Sequence, residues 1–252
     1  MAGTSTFLGL RSRSTTTTTS ARTSEMSKIL FIDYDGTLHD TDAKYAARLD
    51  GILGLSGEQI MKTYLAVHRE IVHQRYPEKH DDFFFHQKLI CEHLKKPYHE
   101  SEAHRTARSL KEAQEECWTN PSFFPDSLHF LDKVKQKHIL CLATGDHALE
   151  KAHALEKAAG RSYFNYAFDH KHLGLKGGGA YFKNALMSTN SRPEDAVAIG
   201  DSLEHDIAAA KEAGIGTVWV NRKGLSPPIA NSPLPDYQAK DLLEVLDYLK
   251  GF

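Results

Sequence analysis

The sequence has no marked excess of charge of either sign and no long apolar run. Its 252 residues include 31 basic and 33 acidic side chains, and the net charge of −2 lacks the basic excess typical of nucleic-acid binding. No apolar run approaches the roughly 20 residues that a membrane-spanning helix needs. These absences exclude polybasic and membrane-spanning classes, so we expect neither nucleic acid nor a membrane among its partners.

Cysteine is also scarce. Cys91, Cys117 and Cys141 are far apart in the chain, with no CxxC spacing. An odd number of widely spaced cysteines does not form a complete disulfide framework and is typical of a reducing compartment. We therefore expect an intracellular, cytoplasmic protein.

Residues 1–27 differ in composition from the rest of the chain. They contain fourteen serines or threonines, three arginines and a single acid, Glu25. Such a segment buries little apolar surface, so we expect it to be disordered. Three interpretations remain open: a mitochondrial or plastid transit peptide, a dispensable tail, or a start assigned upstream of Met26.

Short apolar segments alternate with helical periodicity, which predicts an α/β fold with a parallel sheet covered on both faces. The predicted strands are residues 29–32, 139–143, 196–199 and 217–220, and the predicted helices are 125–136, 147–159, 180–187, 204–213 and 241–250.

One region interrupts this alternation. Residues 42–118 show only helical periodicity, and the candidate helices are 43–53, 56–76, 81–95 and 101–118. We therefore predict a core made of residues 28–41 and 119–252, with a helical unit inserted between its first strand and the remainder.

Acidic residues follow two of the predicted strands. Asp33 and Asp35 end the first strand, before Gly36, and Asp201 and Asp206 follow the strand 196–199. Ligands of open α/β sheets bind beyond the carboxyl ends of strands, and carboxylates that meet there form an oxygen-rich site suited to Mg²⁺. The alternatives are an Asx turn at the first position and a helix N-cap at the second.

A hydroxyl and a lysine complete the pattern. Thr144 and Gly145 follow the strand 139–143, where a hydroxyl and a backbone N–H can hold phosphate oxygens. Lys176 lies in a glycine-rich loop before a predicted helix, where it could neutralise a phosphate. A lone lysine in such a loop is otherwise a solvated surface residue.

In their order and spacing these motifs resemble those of the haloacid dehalogenase-like hydrolase superfamily. The resemblance extends over residues 28–252 and implies a Rossmann-like parallel sheet core with an inserted α-helical cap domain, the cap being residues 42–118. It implies that Asp33 is the nucleophile that forms an aspartyl-phosphate and that Asp35 is the general acid and base.

The resemblance also implies a Mg²⁺ site and a phosphate site. Mg²⁺ is expected on the carboxylates of Asp33 and Asp201 and on the backbone carbonyl of Asp35, with Asp206 supporting the metal ligands. Thr144, the Gly145 backbone and Lys176 are expected to bind the transferring phosphoryl group.

Asp35 favours an ester substrate, because dehalogenases of this superfamily lack an acid at that position and an alkoxide leaving group needs a proton. We expect a phosphatase acting on a small phosphorylated metabolite, such as phosphoglycolate, a sugar phosphate or a nucleoside monophosphate, as a monomer or homodimer. The alternatives are a phosphosugar mutase of the β-phosphoglucomutase type and a non-catalytic protein that binds a phospholigand.

Two features depart from the family pattern or stay unexplained by it. Gly177, Gly178 and Gly179 follow the motif lysine in place of the frequent Pro-Asp-Pro, which loosens the loop. Seven of the fifteen histidines lie between His68 and His104, without the i, i+4 spacing of helical metal ligands. We therefore expect these histidines on helical surfaces, with Arg69, Arg75 and His73 as candidates to meet an anionic substrate.

Overall fold

Six parallel strands form the centre of the fold, in the order β3-β2-β1-β4-β5-β6. A computed structural model of the chain describes residues 27–80, 82–226 and 234–251. The strands are β1 (Ile29–Ile32), β2 (Ile139–Ala143), β3 (Tyr166–Phe168), β4 (Ala196–Gly200), β5 (Gly216–Val220) and β6 (Tyr237–Ala239). The predicted α/β fold with a parallel sheet is confirmed, and most of the serine- and threonine-rich segment 1–27 lies outside the described residues.

Each face of the sheet carries its own apolar layer, because successive side chains of a strand point to opposite faces. Leu30 and Ile32 of β1 contribute to the layer packed against α6 and α11, whereas Phe31 contributes to the layer packed against α9 and α10. The helices of the core are α6 (Ser127–Val134), α7 (Ala148–Ala159), α8 (His170–Leu173), α9 (Gly179–Thr189), α10 (Ala209–Glu212) and α11 (Leu242–Leu249).

The chain between β1 and β2 is helical and has a third apolar cluster, built around Leu49, Ile60 and Leu110. Its elements are α1 (Thr41–Leu49), α2 (Gly57–Val67), a π-helix (His68–Val72), α3 (His73–Arg75), α4 (Phe83–His93) and α5 (Glu100–Thr119), with 3₁₀ turns at Ile52–Gly54 and Pro77–Lys79. We use the name cap for residues 41–119.

Several predicted helices are interrupted in the structure. The predicted helix 56–76 begins with a capping box of Ser56 and Gln59, but a π-helix divides it after Val67. The predicted helix 204–213 consists of a π-helix (Leu203–Ala208) followed by α10. None of the helices among the described residues is long and apolar enough to cross a membrane.

Candidate active site

Asp33 lies at the carboxyl end of the central strand. Its backbone N–H donates to the carbonyl of Ile199 over 2.9 Å, so sheet pairing continues to this residue. The residue is only 6% exposed. A carboxylate so deeply placed needs charged or polar partners, because burial penalises its ionised form.

Two further carboxylates lie beside Asp33: Asp201 directly follows β4, and Asp206 belongs to the π-helix Leu203–Ala208. Asp33, Asp201 and Asp206 each place one oxygen within 4.8 Å of the others. Gly36 permits this approach, since its φ is +77° and a Cβ there would lie 2.4 Å from Oδ2 of Asp201. The sequence-predicted acids therefore meet in one cluster.

Lys176 is the cation of this cluster. Its Nζ lies 2.6 Å from Oδ1 of Asp33 and 2.5 Å from Oδ1 of Asp206, and the side chain is buried. The three glycines that follow it therefore do not prevent the lysine from reaching the acids. Burial by itself would lower the pKa of Lys176, but Asp206 and Asp33 outweigh it and raise that pKa.

The single positive charge of Lys176 does not balance the negative charges of the three acids. Burial raises the pKa of Asp33 well above its usual range, against the lowering effect of Lys176, and Asp206 and Asp201 raise it further. Burial and then Asp206 raise the pKa of Asp201 to about 7. With all groups ionised, three carboxylates and one ammonium leave a negative excess that one divalent cation would neutralise. The all-oxygen donor set fits Mg²⁺.

A second ionic cluster surrounds Asp35. Thr41 donates to its Oδ1 over 2.7 Å, and Lys151 of α7 donates to its Oδ2 over the same distance. Lys151 also lies 2.5 Å from Asp146 and is 2% exposed. It therefore holds the Asp35 carboxylate against the core.

Thr144 belongs to this second cluster. Ile32 pairs with Leu142 in the sheet, so Asp33 lies alongside Ala143 and the hydroxyl comes one residue later. The Thr144 hydroxyl accepts from Lys151 over 3.0 Å and donates to Asp35 over 3.4 Å. The Thr144 hydroxyl thus contacts Asp35 and Lys151 in this structure. Its expected contact with a phosphoryl group stays a prediction.

Both clusters open onto one cavity of about 420 Å³ between the core and the cap. The core side is lined by Asp33, Asp35, Gly145 and Lys176 among others. The cap contributes aromatic and basic side chains, which include Tyr45, Tyr64, His68, Arg69, His73 and Trp118.

Sequence reasoning missed the arrangement of the cap histidines. His86 is fully buried, so the expectation that it lies on a helical surface is wrong. His68, His73 and His80 are partly buried and in mutual ring contact, an arrangement that the sequence did not predict. The i, i+5 spacing of His68 and His73 gave no α-helical signal. A π-helix changes the spacing, because its hydrogen bonds run from i to i+5.

Lys151 was also missed, although its position carried a signal. It follows Ala148 by three residues and precedes Leu155 by four, and both of these are buried. A lysine within the apolar stripe of an amphipathic helix needs a buried partner, and here those partners are Asp35 and Asp146.

A sequence model of the haloacid dehalogenase-like hydrolase family matches residues 27–214. The chain belongs to this family, as the strand-end acids and the lysine had indicated.

The relatives place it with the phosphatases. The chain is 26% identical over 232 residues to the human N-acylneuraminate-9-phosphatase, with 86% of this chain and 92% of the relative covered. The rat N-acylneuraminate-9-phosphatase is 25% identical with the same coverage. The protein is thus an enzyme of the phosphatase type.

A solved structure shares the fold. The haloacid dehalogenase-type hydrolase YfnB of Bacillus subtilis, solved bound to magnesium, superposes with a TM-score of 0.68 at 20% identity. The match covers 88% of this chain and 98% of that one, so it extends over the cap as well as the core.

Proposed function

We propose that the protein is a Mg²⁺-dependent phosphohydrolase that cleaves small phosphate monoesters through an aspartyl-phosphate on Asp33. The observation that carries this proposal is the buried Asp33 carboxylate, held by Lys176 beside Asp201 and Asp206 on the wall of the cavity between core and cap. Asp35 lines the same cavity two residues away.

In the first step an Asp33 oxygen attacks phosphorus, and the phosphorus–oxygen ester bond breaks. The leaving alkoxide takes a proton from Asp35. In the second step Asp35 removes a proton from a water molecule that attacks the same phosphorus. This step breaks the Asp33–phosphorus linkage, releases inorganic phosphate and restores Asp33 and the proton on Asp35.

The remaining groups supply charge and position. Lys176 neutralises the nucleophile and the phosphoryl oxygens, and Gly145 lines the cavity beside them. Mg²⁺ would be held by the carboxylates of Asp33 and Asp201 and the backbone carbonyl of Asp35, and it would neutralise the charge of the transferring group. Asp206 fixes the loop, since its Oδ2 accepts the N–H of Ser202 over 2.9 Å.

A phosphorylated sugar is the substrate class that we favour. Two relatives that match most of the chain are N-acylneuraminate-9-phosphatases. The cavity is large enough for a compact sugar phosphate, and Arg69 lines it from the cap as a cation for an acidic group.

The test is a panel of phosphate monoesters: N-acetylneuraminate 9-phosphate, hexose phosphates, phosphoglycolate and nucleoside monophosphates. We expect phosphate release with Mg²⁺, none with a chelator, and a loss of at least about a thousandfold in kcat for Asp33→Asn. The matched control is Asp247→Asn, which changes an exposed acid of α11. Mg²⁺-independent release, or release that survives Asp33→Asn, would contradict the proposal, and isomerised sugar phosphate would indicate a mutase.

A further inference from the structure

The cap carries a cluster of imidazoles for which the proposed hydrolysis has no use. One ring nitrogen each of His68, His73 and His80 lies within 4.8 Å of the others. The ring centroids of His68 and His73 are 4.3 Å apart, and those of His68 and His80 are 4.7 Å apart. All three residues line the cavity that also contains Asp33.

Two backbone features assemble this cluster. The N–H of His73 donates to the carbonyl of His68, which closes the π-helix and brings residues i and i+5 toward one side. The 3₁₀ turn Pro77–Lys79 then returns the chain so that Nδ1 of His80 lies 2.9 Å from Nε2 of His73. π-Helical turns are frequent at functional sites.

Hydrogen bonding fixes the tautomer of His68. Nδ1 of His86 lies 2.9 Å from the carbonyl oxygen of Asp82, and since a carbonyl only accepts, Nδ1 is the donor. In the neutral form of His86, Nε2 is therefore an acceptor, and Nδ1 of His68 donates to it over 2.8 Å. These two hydrogen bonds leave Nε2 of a neutral His68 without a proton, the state in which imidazole binds a metal.

We call the two hydrogen bonds from His68 to His86 and from His86 to Asp82 the relay. Metal-binding histidines typically donate their other N–H to a fixed partner in this way. Nε2 of His73 and Nδ1 of His80 lie 2.9 Å apart, so one of them carries the hydrogen that the other accepts, and a bound metal ion would displace that proton.

We propose that His68, His73 and His80 form a binding site for one transition-metal ion of the Zn²⁺ class, separate from the carboxylate site for Mg²⁺. Zn–N distances of about 2.0–2.1 Å place the nitrogens of a tetrahedral site roughly 3.3 Å apart, so nitrogens that lie within 4.8 Å of one another need shifts of at most about 1.5 Å. Imidazole suits Zn²⁺, whereas Mg²⁺ prefers oxygen. Three protein ligands leave one coordination position for a molecule in the cavity.

The test measures Zn²⁺ binding to the full chain by calorimetry, with millimolar Mg²⁺ present throughout to occupy the carboxylates. Co²⁺ is the spectroscopic probe, since a tetrahedral site with nitrogen ligands gives visible absorption bands. We expect one Zn²⁺ per chain, displacement of Co²⁺ by Zn²⁺, and at least a tenfold to hundredfold loss of affinity in His73→Ala and in His80→Ala. His86→Gln, which alters only the relay, is expected to weaken binding less than either.

The matched control is His93→Ala, which removes an exposed histidine from the end of α4 and should leave affinity unchanged. Circular dichroism establishes that each variant is folded. If His73→Ala does not fold, the affinity of His80→Ala for Zn²⁺ tests the proposal instead, because His80 follows the 3₁₀ turn and not the π-helix. Absence of binding at about 100 µM Zn²⁺, or equal affinity in the histidine variants and His93→Ala, would overturn the proposal.

Discussion

At the scale of single residues, burial determines what each charge in the site does. Lys151 and Lys176 are both buried, and each bridges two carboxylates. Lys176 was predicted from its motif. Lys151 belongs to no motif, and only its place in the apolar stripe of α7 distinguishes it from the exposed lysines of the chain.

Lys151→Met tests this structural role. The substitution leaves Asp35 and Asp146 without their ammonium partner, and we expect the free energy of unfolding to fall by about 1–3 kcal/mol. We also expect kcat to fall, because Asp35 loses the contact that positions it. Urea unfolding and steady-state kinetics measure these effects. Lys157→Met, an exposed change on the same helix, should alter neither quantity.

His39 gives the protein an acid-sensitive site. It is fully buried beside Tyr34, and burial lowers its pKa from 6.5 to about 4. The unfolded chain takes up a proton near pH 6.5 and the folded chain only near pH 4. Stability is therefore lost as pH falls through this window.

We predict that stability falls between about pH 7 and about pH 5 by roughly 2 kcal/mol more in the wild type than in His39→Gln. Urea unfolding of both proteins at the two pH values measures this difference. Equal pH dependence in the two would show that His39 is not held neutral by the fold.

At the scale of elements, periodicity located four of the six described strands and most of the helices, but not the breaks within helices. The sequence of β1, β2 and β4 is apolar because both faces of the sheet are covered, and this made them predictable. β3 and β6 have three residues each and carry little pattern. The two π-helices, His68–Val72 and Leu203–Ala208, leave no signal in the 3.6-residue periodicity by which helices were predicted.

The contact between α1 and α2 offers a test of cap packing. Gly57 begins α2, and a Cβ there would lie 1.7 Å from the carbonyl oxygen of Ala46. We expect Gly57→Ala to force the helices apart and to cost about 1–3 kcal/mol in unfolding free energy. Gly178→Ala is the control, since nothing lies within 4 Å of a Cβ there, and its stability should not fall. Equal stabilities would show that the two helices lie further apart.

At the scale of the whole molecule, topology explains why so much of the site was predictable. The carboxyl ends of neighbouring parallel strands share one edge, so residues that follow β1, β2 and β4 meet there. The histidine cluster and the cavity lining depend on how the cap folds on itself and packs on the core. No local pattern in the sequence specifies that packing.

The excess of buried carboxylates predicts that Mg²⁺ stabilises the whole fold. Binding to the folded state alone adds about 2.7 kcal/mol when Mg²⁺ is at a hundred times its dissociation constant. We expect the melting temperature of the wild type to rise with Mg²⁺ concentration and that of Asp201→Asn to rise much less. Asp247→Asn should respond as the wild type does. A Mg²⁺ response unchanged in Asp201→Asn would place the ion elsewhere.

The most direct test of the central claim is to trap the phosphoryl group on the enzyme. The fastest ester of the panel is mixed with enzyme and Mg²⁺, the reaction is quenched with acid, and borohydride reduces any aspartyl-phosphate before peptide mass spectrometry. We predict that residue 33 is found reduced to homoserine, only when both ester and Mg²⁺ are present. Turnover without modification of residue 33, or modification of another acid, would contradict the assignment of Asp33 as the nucleophile.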